Sequence, residues 1–277
     1  MRAFRVEGSQ GVALAGVESG PEDAQSIVFL HGFAQGARAF QGTLAGPLAQ
    51  GLRLIAYDLR GHGGSDRPEA AEAYTDGARW AEDLDAVLRA QHAERPVIVA
   101  WSYGGVVVGD YVRRLGSEHL GGVVFVGAPV GVGRASKPWL GPAMLAHTRS
   151  MLSDADAERE AATRAFLRAC TAAPLPEVEM AALDALAAAI PPHVRRGLFA
   201  RNETYDDDLR GLRCPALALH GALDEVILPA ASEHAARLAP GARAVVYPDV
   251  GHMPFAERPR DFERDVADFA ASVARRS

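Results

Sequence analysis

The chain has 277 residues and a mass of 29.3 kDa, enough for one or two domains with a buried core that needs neither disulfide nor metal to fold. Its composition, 48% hydrophobic and 23% charged, excludes disorder for the bulk of the chain. A formal charge of −6 and a pI near 5.9 weigh against nucleic acid or an anionic membrane as partner. The amino terminus, Met1-Arg2-Ala3-Phe4-Arg5, lacks the apolar core of a signal peptide, and no stretch approaches the roughly 18 apolar residues of a membrane span. The expected location is therefore cytoplasmic. The two cysteines, Cys170 and Cys214, form no motif and read as buried thiols.

In chain order, Arg2–Val6 and Val12–Val17 suggest an antiparallel hairpin. Ser26–Leu30, Arg53–Tyr57, Pro96–Trp101, Gly122–Val126, Pro215–Leu219 and Arg243–Tyr247 are short apolar runs, the signature of strands buried on both faces of a parallel sheet. Between them, Trp80, Leu84, Val87 and Leu88 recur at helical spacing behind Thr75 as N-cap. Phe262, Val266, Phe269 and Val273 recur likewise behind Pro259. Strands alternating with helices predict βαβ units in a three-layer α/β sandwich. The alternation breaks between about Gly133 and Asp208, where helical stripes such as Phe166/Cys170 and Met180/Leu183 are punctuated by Pro174, Pro176, Pro191 and Pro192. This stretch predicts a helical insertion acting as a lid. The division expected is a core of residues 1–133 and 208–277 and a cap of residues 134–207.

The sharpest chemical signal is Ala100-Trp101-Ser102-Tyr103-Gly104-Gly105, which follows one buried strand and opens a helix over Val106–Leu115. A serine flanked by small residues fits a tight strand-to-helix turn that lifts its hydroxyl out of the sheet. Ala100 stands where the G-x-S-x-G pattern has its first glycine, and it still meets the size requirement. An isolated serine hydroxyl is a poor nucleophile, so it needs a base, and the base needs a carboxylate to hold its tautomer. Asp224 and His252 both lie in loops just past the C-terminal ends of predicted strands, the edge at which open parallel sheets build their sites. Glu225 adjoins Asp224, and Asp249 shortly precedes His252; the loop position and the order Ser, Asp, His favour Asp224. His31-Gly32-Phe33, after the strand Ser26–Leu30, would set the Phe33 amide beside that of Tyr103 as an oxyanion hole. Trp101, Tyr103, Trp139, Met253 and the Phe33 ring are the candidate pocket walls. His62, Arg60 and Arg67 read as a hydrogen-bonded glycine-rich turn, and the scattered histidines make no metal site.

Together, His31-Gly32-Phe33, Asp58-Leu59-Arg60-Gly61-His62-Gly63-Gly64-Ser65-Asp66-Arg67-Pro68, the Ser102 turn, His220-Gly221-Ala222-Leu223-Asp224 and Gly251-His252 resemble the α/β-hydrolase fold superfamily over essentially the whole chain. The resemblance implies an eight-stranded, mostly parallel sheet with a helical cap after the sixth strand. Serine at the turn implies acyl transfer, where aspartate would favour epoxide or haloalkane hydrolysis. The expected activity is hydrolysis of small to medium carboxylic esters without cofactor or metal. A lactone, amide or carbon–carbon hydrolase, a cofactor-free perhydrolase and a receptor-like ligand binder are the alternatives on the same residues. Oligomeric state leaves no trace in the sequence.

Overall fold

The computed structural model describes residues 1–275. Eight strands form the main sheet: β1 (Arg2–Glu7), β2 (Ala13–Ser19), β3 (Ser26–Leu30), β4 (Arg53–Tyr57), β5 (Val97–Trp101), β6 (Gly122–Val126), β7 (Ala216–Gly221) and β8 (Arg243–Tyr247). Their order is β1-β2-β4-β3-β5-β6-β7-β8. The β1–β2 hairpin is antiparallel and joins through β2 to β4; every pairing from β4 to β8 is parallel. Strands β3 to β7 are buried along their whole length, as their unbroken apolar runs require. Arg243–Tyr247 has the same kind of run, yet only Tyr247 is buried and Val246 is 42% exposed. The reason is position: β8 closes the sheet as its edge strand.

Helices α1 (Gly77–Ala90) and α2 (Tyr103–Leu115) pack side by side on the sheet, with α7 (Ala230–Leu238) against β7 and β8. Helix α8 (Pro259–Ala274) packs with the helical turns Gln41–Ala45 and Pro47–Gln50, completing the three layers. Its buried stripe is Phe262, Val266, Phe269 and Val273, and Pro259 opens its first turn, where the missing amide hydrogen costs nothing. The N-cap of α1 is Asp76, whose carboxylate accepts from the Ala78 amide; the expected cap, Thr75, instead ends the short preceding helix Glu72–Thr75.

Between β6 and β7 the chain forms α3 (Pro142–Met151), α4 (Asp156–Arg168), α5 (Glu177–Ala188) and α6 (Pro192–Ala200). The sequence pattern gives this stretch no strand, yet Glu203–Thr204 pairs antiparallel with Gly131–Val132, closing the insertion at its base. No helix among the described residues is long and apolar enough to cross a membrane.

Candidate active site

Ser102 occupies the single residue between the end of β5 and the start of α2. Its backbone sits at φ 52°, ψ −118°, a region that L-residues avoid at a cost of about 1–3 kcal/mol. The surroundings over-determine the strain. The Ser102 amide donates to Val126 O at 2.9 Å, and Ser102 O accepts from the Gly105 amide at 2.9 Å. The two glycines after it are required by close approach: a Cβ at Gly104 would stand 2.6 Å from Leu30 O, and one at Gly105 would stand 2.6 Å from the Ala128 Cβ. Ala100 is fully buried in β5.

Asp224 and His252 come together from the loops after β7 and β8. His252 Nδ1 donates to Asp224 Oδ2 at 2.7 Å, and both side chains are buried. Asp224 Oδ1 accepts from the amides of Val226 (2.8 Å) and Ile227 (2.9 Å). Burial alone would raise this carboxyl, but His252 and a hydrogen bond from His220 hold it well below the usual carboxylate range. With Nδ1 committed to Asp224, Nε2 is the nitrogen left to accept a proton. The other acids stand elsewhere: Asp249 pairs with Arg258, and Glu225 is exposed.

The His252 loop is braced on several sides. Trp101 Nε1 donates to His252 O at 2.9 Å, and the indole packs edge-on against Phe255. The Cys170 carbonyl, from the insertion, accepts the His252 amide at 2.8 Å. Glu257 bridges the same two segments, accepting from the amides of Gly251 (2.8 Å) and Ala172 (2.7 Å). Gly127 lets the imidazole in: a Cβ there would lie 3.0 Å from His252 Nδ1. Gly127 directly follows Val126, whose carbonyl accepts from the Ser102 amide, so Ser102 and His252 both lie at one end of β6. Among the described residues no hydrogen bond joins Ser102 Oγ to His252, a contact that commonly tightens only with substrate in place.

The His31-Gly32-Phe33 turn lies directly against the serine, since a Cβ at Gly32 would stand 2.9 Å from the Ser102 Cβ. Among the described residues neither the Phe33 amide nor the Tyr103 amide has an acceptor. His31 is fully buried; Nδ1 donates to Gly32 O at 2.8 Å and Nε2 accepts from the Leu59 amide at 2.9 Å. Burial pushes its pKa down to about 4 and that of His62 to about 3, so neither is poised as a base near neutrality. Arg60 makes two 2.7 Å bonds to Asp83, both side chains buried, which accounts for the glycine-rich turn as architecture.

The candidate pocket walls divide. The Phe33 ring meets Phe199 of α6 edge-on at 4.9 Å and Phe166 of α4 at 6.4 Å, with the Arg195 guanidinium 5.7 Å from its centre. Arg195 is buried on carbonyl groups and Thr163, with no carboxylate partner among the described residues, and burial lowers its pKa to about 10. Tyr103 turns its ring to Trp80, and its hydroxyl accepts from Arg201 at 3.2 Å. Arg201 is in turn salt-bridged to Asp110 at 2.5 Å on α2. Trp101 serves as the brace already described, Met253 is buried beside His252, and Trp139 stacks on His234 at 4.9 Å. Phe166, Phe199 and Glu257 are the neighbours of this site that motif reasoning does not reach. Phe166 had a signal only as a helical stripe, and the acceptor role of Glu257 has none.

The sequence matches the family described as alpha/beta hydrolase fold over residues 25–259. An esterase from Rhodococcus sp. ECU1013 has a similar structure, with a TM-score of 0.92 and 36% identity, covering 99% of this chain and 100% of that one. A pimeloyl-[acyl-carrier protein] methyl ester esterase from Aromatoleum aromaticum is 30% identical over 246 residues, 85% of this chain and 94% of that protein. Epoxide hydrolase A of Mycobacterium tuberculosis is 39% identical over 104 residues, 38% of this chain. The chain spans 32% of the length of that hydrolase, and between 19% and 42% of other curated relatives that match as a shorter block.

Proposed function

Because the chain belongs to the α/β-hydrolase fold family, we propose that it hydrolyses small to medium carboxylic esters through a covalent acyl-enzyme. The observation that carries this reading is the 2.7 Å Asp224–His252 hydrogen bond on the same sheet edge as a serine held in a strained turn. In this mechanism Ser102 Oγ attacks the ester carbonyl carbon while His252 Nε2 takes its proton. The oxyanion gathers hydrogen bonds from the Phe33 and Tyr103 amides, each worth a few kcal/mol when preorganised. Collapse of the tetrahedral intermediate passes the proton from His252 to the leaving alkoxide. Water, deprotonated by His252, then attacks the acyl-enzyme, and Ser102 recovers its proton as the acid leaves. Asp224 holds the imidazole in the required tautomer and stabilises the imidazolium. No step requires a metal or cofactor.

Serine at the turn separates this chemistry from that of an epoxide hydrolase relative, and the two esterases that match along most of the chain support it. Residues 134–207 act as the cap over the core formed by 1–133 and 208–277. Supporting this are the Phe33 contacts with Phe166 and Phe199 and the Gln35 amide donating to Leu183 O at 3.4 Å. The aromatic cluster then forms an apolar wall that suits uncharged acyl or alcohol groups. Free, buried Cys170 and Cys214 fit a reducing, cytoplasmic setting.

The test is labelling with a fluorophosphonate probe, followed by a chain-length panel of p-nitrophenyl esters and lactones. The wild type is expected to label and turn over short and medium esters, and Ser102→Ala to do neither. Labelling that survives Ser102→Ala would remove the nucleophile. Absence of turnover on every ester and lactone would leave a ligand binder.

A further inference from the structure

The catalytic acid is held by a second imidazole that the triad does not include. His220, on β7, is completely buried. Its Nε2 lies 2.8 Å from Ile227 O and 3.0 Å from Asp224 Oδ2. Both oxygens can only accept, so Nε2 carries the hydrogen and shares it between them. Its Nδ1 lies 2.7 Å from the Ser232 hydroxyl, which can donate to it. Ser232 is equally buried and sits on α7, the helix that follows the acid loop. One ring thus joins the strand before that loop, the carbonyl within it, the helix after it and the carboxylate it carries.

We propose that His220, fixed in one tautomer by Ser232, is a positioning residue that sets both the aim and the charge of the Asp224 carboxylate toward His252. This rests on the serine-hydrolase reading above. Asp224 then receives four donors: two backbone amides on Oδ1, and His220 and His252 on Oδ2. That set leaves the carboxylate no freedom to rotate. The His220 bond also draws off part of the negative charge that would otherwise raise the basicity of His252. Other titratable groups packed here do not replace it. The Cys170 thiol is pushed well up by burial and by the Asp224 charge, and the Glu257 carboxylate is occupied by the Gly251 and Ala172 amides.

Three variants of the full chain read this directly. His220→Leu fills the volume without a donor; His220→Gln restores a donor near the Nε2 position; Ser232→Ala keeps the imidazole but frees its tautomer. For His220→Leu, kcat on the best p-nitrophenyl ester is expected to fall about tenfold, the worth of one hydrogen bond to a charged group, with KM little changed. The acid limb of its kcat/KM profile should move up by about half a unit, because the unshared carboxylate makes His252 more basic. His220→Gln should recover most of both effects, and Ser232→Ala should show the same changes at smaller size. The His252 ring titration followed by NMR in the same proteins reads the charge effect without turnover. If no ester is turned over but the His252 titration rises in His220→Leu and returns in His220→Gln, the inference stands and the hydrolase reading falls. If esters are turned over and a folded His220→Leu or Ser232→Ala keeps the wild-type profile and titration, His220 is only a core residue and the inference is overturned.

Discussion

Replacing Asp224 by asparagine tests the triad where its geometry is most restrictive. The carboxylate accepts two backbone amides on Oδ1 and two imidazole N–H groups on Oδ2. Asparagine offers one acceptor oxygen and one NH2 donor, so it cannot satisfy both sides. If its oxygen takes the place of Oδ1, the NH2 faces both imidazoles: His220 keeps Ile227 O as its acceptor, and His252 must then accept at Nδ1. The proton moves to Nε2, and the imidazole can no longer take one from Ser102. If the amide flips, the Val226 and Ile227 amides lose a buried acceptor, each at about 1–3 kcal/mol. The first arrangement is the cheaper, so the variant folds with the wrong tautomer. A loss of kcat of about 10⁴-fold, near 5 kcal/mol, is the scale for that defect in a serine triad. KM should change little, because Asp224 is buried and all four of its donors are protein groups. Steady-state kinetics on the best p-nitrophenyl ester, with the fluorophosphonate labelling rate as a second measure, reads this. A folded Asp224→Asn protein with kcat within tenfold of wild type would refute the reasoning and move the search for the acid to Asp249 or Glu225.

Three further outcomes follow from the same geometry. Ser102→Gly should abolish labelling and turnover yet raise the melting temperature by about 2 °C, because glycine relieves about 1 kcal/mol of backbone strain at φ 52°; an unchanged or lower melting point would show the turn to be unstrained. Gly32→Ala places a methyl 2.9 Å from the Ser102 Cβ, so the loop carrying the Phe33 amide must shift, and kcat should drop by about 10- to 100-fold while the fold survives; an unaffected kcat would remove Phe33 from the oxyanion hole. Stability should decline as pH falls below about 6.5. His31 and His62 have folded pKa values lowered to about 4 and 3, so the unfolded chain takes up their protons first. For His31 alone the loss accumulates to about 3 kcal/mol by pH 4, and Asp224, also held low, adds its loss below the ordinary carboxylate range. Urea titrations at pH 7, 5.5 and 4.5 measure this, and a flat profile over that range would contradict it.

The sheet was legible because a strand buried on both faces must be apolar throughout, and the runs at Ser26–Leu30, Arg53–Tyr57 and Gly122–Val126 coincide with strands residue for residue. Arg243–Tyr247 is also a strand residue for residue, but the rule misjudged its burial, since composition does not say which strand stands at an edge. Thr75 and Asp76 are both competent caps one position apart, and only the placement of the Ala78 amide separates them. The Ser102 turn was legible because its requirement is local: small residues packed against a sharp bend. What holds His252 was not. The Cys170 carbonyl is a backbone group that any residue would supply, and the Trp101 indole could as well have faced a pocket as propped a loop. His220 and Ser232 meet only after β7 and α7 have been placed.

The placement of these braces bears on how the insertion works with the triad. The stretch that opens it, Trp139–Ala143, is joined to the acid loop: the Gly141 amide donates to Val226 O, the Ala143 amide to Glu225 O, and the Leu228 amide to Trp139 O, at 2.8–2.9 Å. A Cβ at Gly141 would stand 2.2 Å from Glu225 O, so the two backbones touch. Farther along, Cys170 O holds the His252 amide. The insertion is therefore bonded to the Asp224 loop through its first segment and to His252 through the turn after α4, while Phe166 and Phe199 bear on Phe33. A cap that moved as one rigid piece would pull on Asp224 and His252 each time it opened. If this stretch is the proposed cap, opening confined to segments without those bonds, such as α5, would leave Asp224 and His252 in register.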